Sequence, residues 1–322
     1  MVAREEEEIA RAVDVLRRGQ LVAFPTETVY GLGADAANPQ AVQRLFTVKR
    51  RPPDHPVIVH IASAGRLAHF AIDVPEAARV LADAFWPGPL TLVVKRNERV
   101  ASEVTGGRDT VGLRVPDHPL ALALLEAFGG GVAAPSANRF GKVSPTTAAH
   151  VRADLGDDVA VVLDGGPCRV GIESTIVDVT GAEPTILRIG GVSRAQIDEA
   201  IGRPCAVRIA GEIAAPGTLA SHYAPSAAVE VIDEAAVPGR ARVLVAGGDR
   251  VGVLALRHVW PDLPEQLVVL DPPRDVEDYA RVLYSRLRAA DELGLAVLLV
   301  VAPPDADGLG AAVSDRVQRA AG

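Results

Sequence analysis

The chain has 322 residues, enough for two domains joined by a linker and for a sizeable buried core. Hydrophobic residues make up 48% and charged residues 23%, which excludes disorder over most of the length. A net charge of -8 excludes a protein that coats nucleic acid through bulk positive charge, so any RNA contact is expected to be local.

The first elements follow from spacing. Glu5 to Glu8 lead into Ile9, Ala12, Val13 and Leu16, the pattern of an amphipathic helix with acidic residues at its positive end and Gly19 as its stop. This is the wrong chemistry for a targeting peptide, and the longest apolar run, Leu295 to Ala302, is too short for a bilayer; the expectation is a cytoplasmic protein without membrane contact. Leu21 to Phe24 reads as a buried strand, and Pro25 to Gly33 as a loop with Gly31 and Gly33 as turn glycines. Helices are expected at 41–49, 75–84, 119–127, 145–154 and 193–200. Strands are expected at 57–61, 90–94, 111–115, 132–134, 159–163, 176–179 and 185–189.

Their irregular alternation predicts a twisted, mixed sheet over residues 1–203. Pro204, Pro216, Gly217 and Pro225 mark a linker at 204–227. Beyond it, strands at 229–232, 242–245, 252–256, 267–270 and 296–300 with a helix at 275–290 predict a smaller, Rossmann-like α/β domain over 228–322.

Generic nucleotide signatures are weak. No phosphate loop of the GxxxxGK[ST] type occurs, and Gly31-Leu32-Gly33-Ala34-Asp35-Ala36 matches a dinucleotide fingerprint only loosely. Cys168 and Cys205 stand alone, which indicates neither a disulfide framework nor a zinc cluster. More telling is lysine usage, because only Lys49, Lys95 and Lys142 are lysines among 33 basic residues. Lys49-Arg50-Arg51-Pro52 closes a helix, where a cation also answers the helix dipole. The loop from Pro135 to Pro145 offers Ser136, Asn138, Lys142 and Ser144 before a helix, a composition suited to phosphate, although turn and capping duty would explain it too. Arg114 and Arg188 lie inside short apolar strands, where a guanidinium is costly unless it meets an anion or a structural partner.

Taken in order, Phe24 to Gly33, Lys49-x-Arg51-Pro52, Val57 to Ile61, Trp86 to Thr91, Gly112 to Pro116, Ala134 to Asn138, Gly141 to Thr146 and Ser174 to Asp178 resemble the YrdC-like threonylcarbamoyl-AMP synthases. The segment Pro216 to Pro225 resembles the linker of the longer, two-domain branch of that family. The resemblance implies a reaction of L-threonine, bicarbonate or CO2 and ATP, with Mg2+, that releases pyrophosphate. It also implies a downstream transferase that moves the threonylcarbamoyl group onto tRNA.

By motif position it places Thr28, His60, Thr110, Arg114, Ala134 and Ser174 around threonine. Lys49, Arg51, His55, Ser136, Asn138, Ser144, Arg188 and Tyr223 would surround ATP, with Lys49, Arg51, Ser136 and Asn138 at the core of phosphate handling. His222 and Tyr223 would form a lid. No side chain is assigned to a metal. Pro53-Asp54-His55 and Phe140 depart from the family's usual residues. A protein that holds tRNA or structured RNA without chemistry is the alternative, and a carbamoyl-transfer role is disfavoured by the lack of zinc-finger cysteines.

Overall fold

In the computed structural model, residues 2–208, 223–256, 260–304 and 308–322 are described. The helices are α1 Val2–Arg17, α2 Pro39–Lys49, α3 Leu67–Phe70, α4 Glu76–Phe85, α5 Pro119–Phe128, α6 Ala148–Leu155, α7 Arg194–Ile201, α8 Val237–Ala246, α9 Val276–Glu292 and α10 Gly308–Ala321. In the first unit the strands are β1 Val22–Phe24, β2 Gly31–Asp35, β3 Val59–His60, β4 Leu90–Lys95, β5 Thr110–Arg114, β6 Val132–Ala133, β7 Val161–Val162, β8 Thr175–Asp178, β9 Thr185–Arg188 and β10 Ala206–Val207. The second unit holds β11 Ala228–Val231, β12 Val251–Leu254, β13 Val268–Val269 and β14 Val297–Val300. Gly141–Val143 and Val170–Ile172 cluster with that second unit.

The first unit is built on a 10-stranded sheet in the order β10-β9-β8-β4-β5-β3-β6-β2-β1-β7. It is mixed, as the irregular alternation predicts: β3/β5, β4/β8, β1/β7 and β9/β10 run parallel, and the other neighbours antiparallel. On α1, Ile9, Ala12, Val13 and Leu16 form one apolar stripe packed with Ala121, Leu124 and Leu125 of α5. Local chemistry sets the ends of the helices. Asn38 accepts hydrogen bonds from the amides of Gln40 and Ala41 at the start of α2, with Pro39 at the first helical position. Arg50 then leaves the helix in the left-handed region (φ 55°), which swings Arg51 out of the helical path.

Two expectations for this unit change. Gly31 and Gly33 are strand residues of β2, because β1 turns back on itself after only six residues and pairs antiparallel with it. A Cβ on Gly33 would lie 2.8 Å from Val132 and 3.0 Å from the Phe24 ring, so close packing, and no turn, requires that glycine. The helix expected from 145 begins at Ala148, capped by the Thr147 hydroxyl.

In the second unit the sheet is parallel throughout, in the order β11-β14-β12-β13. β12 and β14 are buried along their whole length, as strands covered on both faces must be. Arg242 to Val245 belong to α8 and not to a strand. The run Arg-Val-Leu-Val has no alternation, and Ala241 and Leu244 face the core three residues apart, at helical spacing. Most of the segment between the units, 209–222 with His222, lies outside the described residues.

Gly190, just beyond β9, crosses the backbone of Glu173 to Thr175 so closely that a Cβ would fall 2.3 Å from the Glu173 carbonyl oxygen and 2.5 Å from the Thr175 nitrogen. Gly190→Ala is therefore expected to destabilise the first unit by about 2–4 kcal/mol, seen as a thermal midpoint lower by roughly 5–15 °C. A calorimetric scan of the variant beside the parent checks it.

Candidate active site

The β1–β2 connection is held by a single hydroxyl. Thr26 Oγ1 accepts from the amides of Thr28 and Val29 at 3.2 Å and donates to the Val29 carbonyl at 2.6 Å. This turn buries Glu27 and Thr28. Glu27 Oε2 lies 2.8 Å from Nη2 of Arg114 at the end of β5, in an ion pair almost closed to water. The contact is off the hydrogen-bond directions of both groups, so the attraction is that of charge. Arg114 Nε donates to the Gly88 carbonyl at 3.2 Å.

His60 is the register partner of Arg114 across β3 and β5. Its ring meets Phe24 edge-on at 5.7 Å, and Nδ1 has no hydrogen bond among the described residues. Burial, then the neighbouring Arg114, pushes its pKa down to about 3, so the imidazole is neutral at ordinary pH. Ala134 joins this group one strand over, its amide on the Ile58 carbonyl.

Ser174 forms the next layer. Its hydroxyl shares a 2.8 Å hydrogen bond with Thr91, and Arg188 grips it by donating Nε and Nη2 to its carbonyl and Nη2 to its hydroxyl. The Thr175 amide in turn donates to the Pro89 carbonyl. One short turn, Gly88–Thr91, therefore touches both buried arginines, Arg114 directly and Arg188 through Ser174. Thr91 escaped the sequence reading because a threonine in a strand has an ordinary packing explanation.

On the other side, Lys49 reaches across to the 136–138 loop. Its Nζ donates to the carbonyls of Ser136 and Asn138, each at 2.5 Å, and the Phe140 amide donates back to the Lys49 carbonyl. The segments 49–51 and 136–140 thus meet, as the motif reading requires. Lys49 is 2% exposed and engaged with backbone. Burial, reinforced by Arg51, holds its pKa well below the usual lysine range.

Arg51 donates to the Pro56 carbonyl and sits 5.7 Å over the Phe140 ring, whose edge also meets the His55 ring at 5.6 Å. The two departures from the family pattern, His55 and Phe140, therefore pack against each other and against Arg51. Burial, then Arg51, lowers the His55 pKa. A cavity of about 510 Å3 opens beside Arg50 and Arg51, lined also by Phe46, Pro53 and Glu103. Ser144 donates to Glu173 Oε1 at 2.8 Å, a buried hydroxyl–carboxylate pair that adds Glu173 to the site.

Thr110 and Tyr223 have surroundings of their own. Thr110 opens β5 and Arg114 closes it, so strand geometry separates them by about 13 Å. Thr110 pairs with Lys95 of β4 and follows the 105–108 loop, where Arg108 donates to the Asp54 carbonyl. Tyr223 belongs to the second unit. It is buried with a positive φ of 66°, stacked on Tyr284 at 5.4 Å and covered by the Arg316 guanidinium. Lys142, noted for its rarity, is exposed.

No cluster of three or more His, Cys, Asp or Glu suited to a metal occurs among the described residues. Within the same residues, no helix is long and apolar enough to cross a membrane.

His60 generates a pH prediction. Its folded pKa of about 3 lies below the unfolded value of 6.5, so the unfolded chain binds the extra proton between those limits. The penalty is absent above pH 6.5 and grows as pH falls toward 3, by about 1.4 kcal/mol per pH unit at most. Urea titrations of the parent and of His60→Gln between pH 7 and pH 4 are expected to show the parent losing stability more steeply.

Comparison with known proteins accords with this geometry. A Sua5/YciO/YrdC family model described as "Telomere recombination" matches residues 14–190, and the model "Threonylcarbamoyl-AMP synthase, C-terminal domain" matches residues 192–322. The threonylcarbamoyl-AMP synthase of Pyrococcus abyssi is 43% identical over 99% of this chain and 95% of its own length. That of Bacillus subtilis is 39% identical over 100% and 95%. The crystal structure of P. abyssi Sua5 complexed with L-threonine superposes with a TM-score of 0.89 at 41% identity, covering 97% of this chain and 94% of that one. With both of its units matched and full-length relatives at this identity, the chain belongs to the Sua5/YrdC family of threonylcarbamoyl-AMP synthases.

Proposed function

We propose that this chain condenses L-threonine, carbon dioxide or bicarbonate, and ATP into threonylcarbamoyl-AMP, with release of pyrophosphate. The observation that carries the reading is buried Arg114, fixed by the Gly88 carbonyl and by Glu27 beside His60, with Arg188 anchored on Ser174 over the same Gly88–Thr91 turn, which sets two cations on one rigid support. The L-threonine complex of the P. abyssi relative supports threonine as the amino acid.

In this reading Arg114 takes the threonine carboxylate, and the neutral His60, Thr28 and Ala134 surround the side chain. The amine, having given its ammonium proton to water, attacks the carbon of carbon dioxide and releases a second proton to water, which gives a carbamate. A carbamate oxygen then attacks the α-phosphorus, and the bond to pyrophosphate breaks without a covalent enzyme intermediate. Arg51 and Arg188 neutralise the phosphates, with Phe140 and His55 fixing Arg51 from the side. Lys49 acts through the 136–138 loop, whose Ser136 and Asn138 it aligns.

Magnesium arriving with ATP needs only one or two protein ligands beside phosphate and water, and the Ser144–Glu173 pair has suitable oxygen chemistry. Bound there, it would lower the charge on the departing pyrophosphate. The product is a reactive mixed anhydride, so a transferase acting on tRNA must consume it, in the cytoplasm. A net charge of -8 confines any direct tRNA contact to a local patch.

Pyrophosphate release tests the reading. It should require threonine, bicarbonate and ATP together, and the adenylate should be detectable by mass spectrometry. Release that proceeds without threonine or without bicarbonate would overturn it. Lys49→Ala, by loosening the 136–138 loop, is expected to slow release by about 100-fold or more, with circular dichroism showing the fold retained.

A further inference from the structure

The Glu27–Arg114 pair raises a question that threonine binding alone does not answer. A site that holds a triphosphate beside a carboxylate pocket must keep phosphate out of the carboxylate's place. A lone buried guanidinium would do the opposite, since a dianion is attracted to it more strongly than a monoanion.

The structure provides a counter-charge. Arg114 has Nε on the Gly88 carbonyl and Nη2 against Glu27, and Nη1 makes no hydrogen bond among the described residues. Glu27 is 1% exposed, and both its carboxylate oxygens are closed to solvent. It therefore meets Arg114 on the buried Nη2 and leaves Nη1 unengaged. The other titratable groups that feel Glu27 add no charge. His118 is held below the usual histidine range by burial, and the Cys168 thiol is pushed up to about 12 by burial and then by Glu27. His60, the strand neighbour of Arg114, is neutral. The Arg114 locality therefore sums to zero, while Nη1 still offers a directed donor.

We infer that Glu27 is a specificity-determining residue: it orients Arg114 at Nη2 and cancels its charge, so that the pocket takes the monoanionic carboxylate of a zwitterionic amino acid and rejects phosphate, pyrophosphate and phosphonate dianions. This rests on the proposed placement of threonine at Arg114. Loss of the charge and loss of the geometry have different signatures. Glu27→Gln leaves Arg114 with an uncompensated charge and should convert the pocket into a phosphate trap. Glu27→Asp keeps the charge but shortens the reach, and should loosen the hold on Arg114 without admitting phosphate.

The experiment is steady-state pyrophosphate release by the full chain with inorganic phosphate as inhibitor. In the parent, phosphate is expected not to compete with threonine. In Glu27→Gln it should become competitive with threonine, its inhibition constant falling at least tenfold, while the KM for ATP moves little. In Glu27→Asp the KM for threonine should rise with phosphate still excluded. Equal phosphate inhibition in the parent and Glu27→Gln, or rescue of neither property by Glu27→Asp, would overturn the inference.

Calorimetric binding of the phosphonate analogue of threonine to the parent provides a test independent of whether the Gln variant folds. Binding at least 100-fold weaker than threonine supports charge cancellation, and binding as tight as threonine ends it. A parent whose pyrophosphate release ignores threonine would instead refute the functional reading itself, which separates the two failures.

Discussion

The placement of one buried amine organises the Arg51 side of the site. Lys49 is the last residue of α2, and its Nζ meets two carbonyls of a loop that lies almost ninety positions further along the chain. Burying a lysine this completely is expensive unless its donors are satisfied, and the Ser136 and Asn138 carbonyls satisfy two of the three. The same contact leaves that loop little freedom to shift sideways. Because Arg50 adopts a left-handed conformation directly after Lys49, the chain turns sharply and Arg51 emerges beside Phe140, two residues beyond the clamped Asn138. The positions of Arg51, Ser136 and Asn138 are thus consequences of where α2 ends and what its last side chain grips.

The Arg114 side is organised by strands. His60 and Arg114 are neighbours because β3 and β5 run parallel in that register, and the Gly88 carbonyl meets Arg114 because the 86–90 turn feeds directly into β4. A parallel pairing of two-residue and five-residue strands would be weak alone. It persists because β6 and β4 flank it and because both faces are buried by aliphatic side chains.

Much of this was legible in the residues themselves. The helix stripe of α1, the helix end at Lys49 and the arginines set in apolar strands are local patterns, and each sits where its spacing places it. The candidate residues were named by motif, but the contacts among them were not. Lys49 drew notice as a rare lysine at a helix end; that its Nζ meets two backbone carbonyls is something no side-chain motif encodes. Thr110 and Arg114, placed together by motif position, stand at opposite ends of β5. Glu27 was hidden inside a motif, since an acid in a loop reads as solvated until the Thr26 turn is seen to bury it. In the second unit, Arg242 to Val245 looked like a strand because four residues are too few to reveal a period, and only the helical spacing of Ala241 and Leu244 decides it.

The division between lysine and arginine follows the same geometry. Between two carbonyls only a compact ammonium fits, and there the chain uses one of its three lysines. Where one cation must hold backbone on one edge and still present a donor on another, it uses arginine: Arg114 divides Gly88, Glu27 and an open Nη1, and Arg188 spans the carbonyl and hydroxyl of Ser174. Arg316 of the second unit uses the planar face instead, lying over the Tyr223 ring while Nη1 pairs with Asp315 at 2.6 Å. That packing, together with the Tyr284 stack, makes Tyr223 a core residue of its own unit. An Arg114→Lys change would therefore keep the charge and still fail, because an ammonium has no rigid fork with which to hold Gly88 and Glu27 in place and face a carboxylate at the same time.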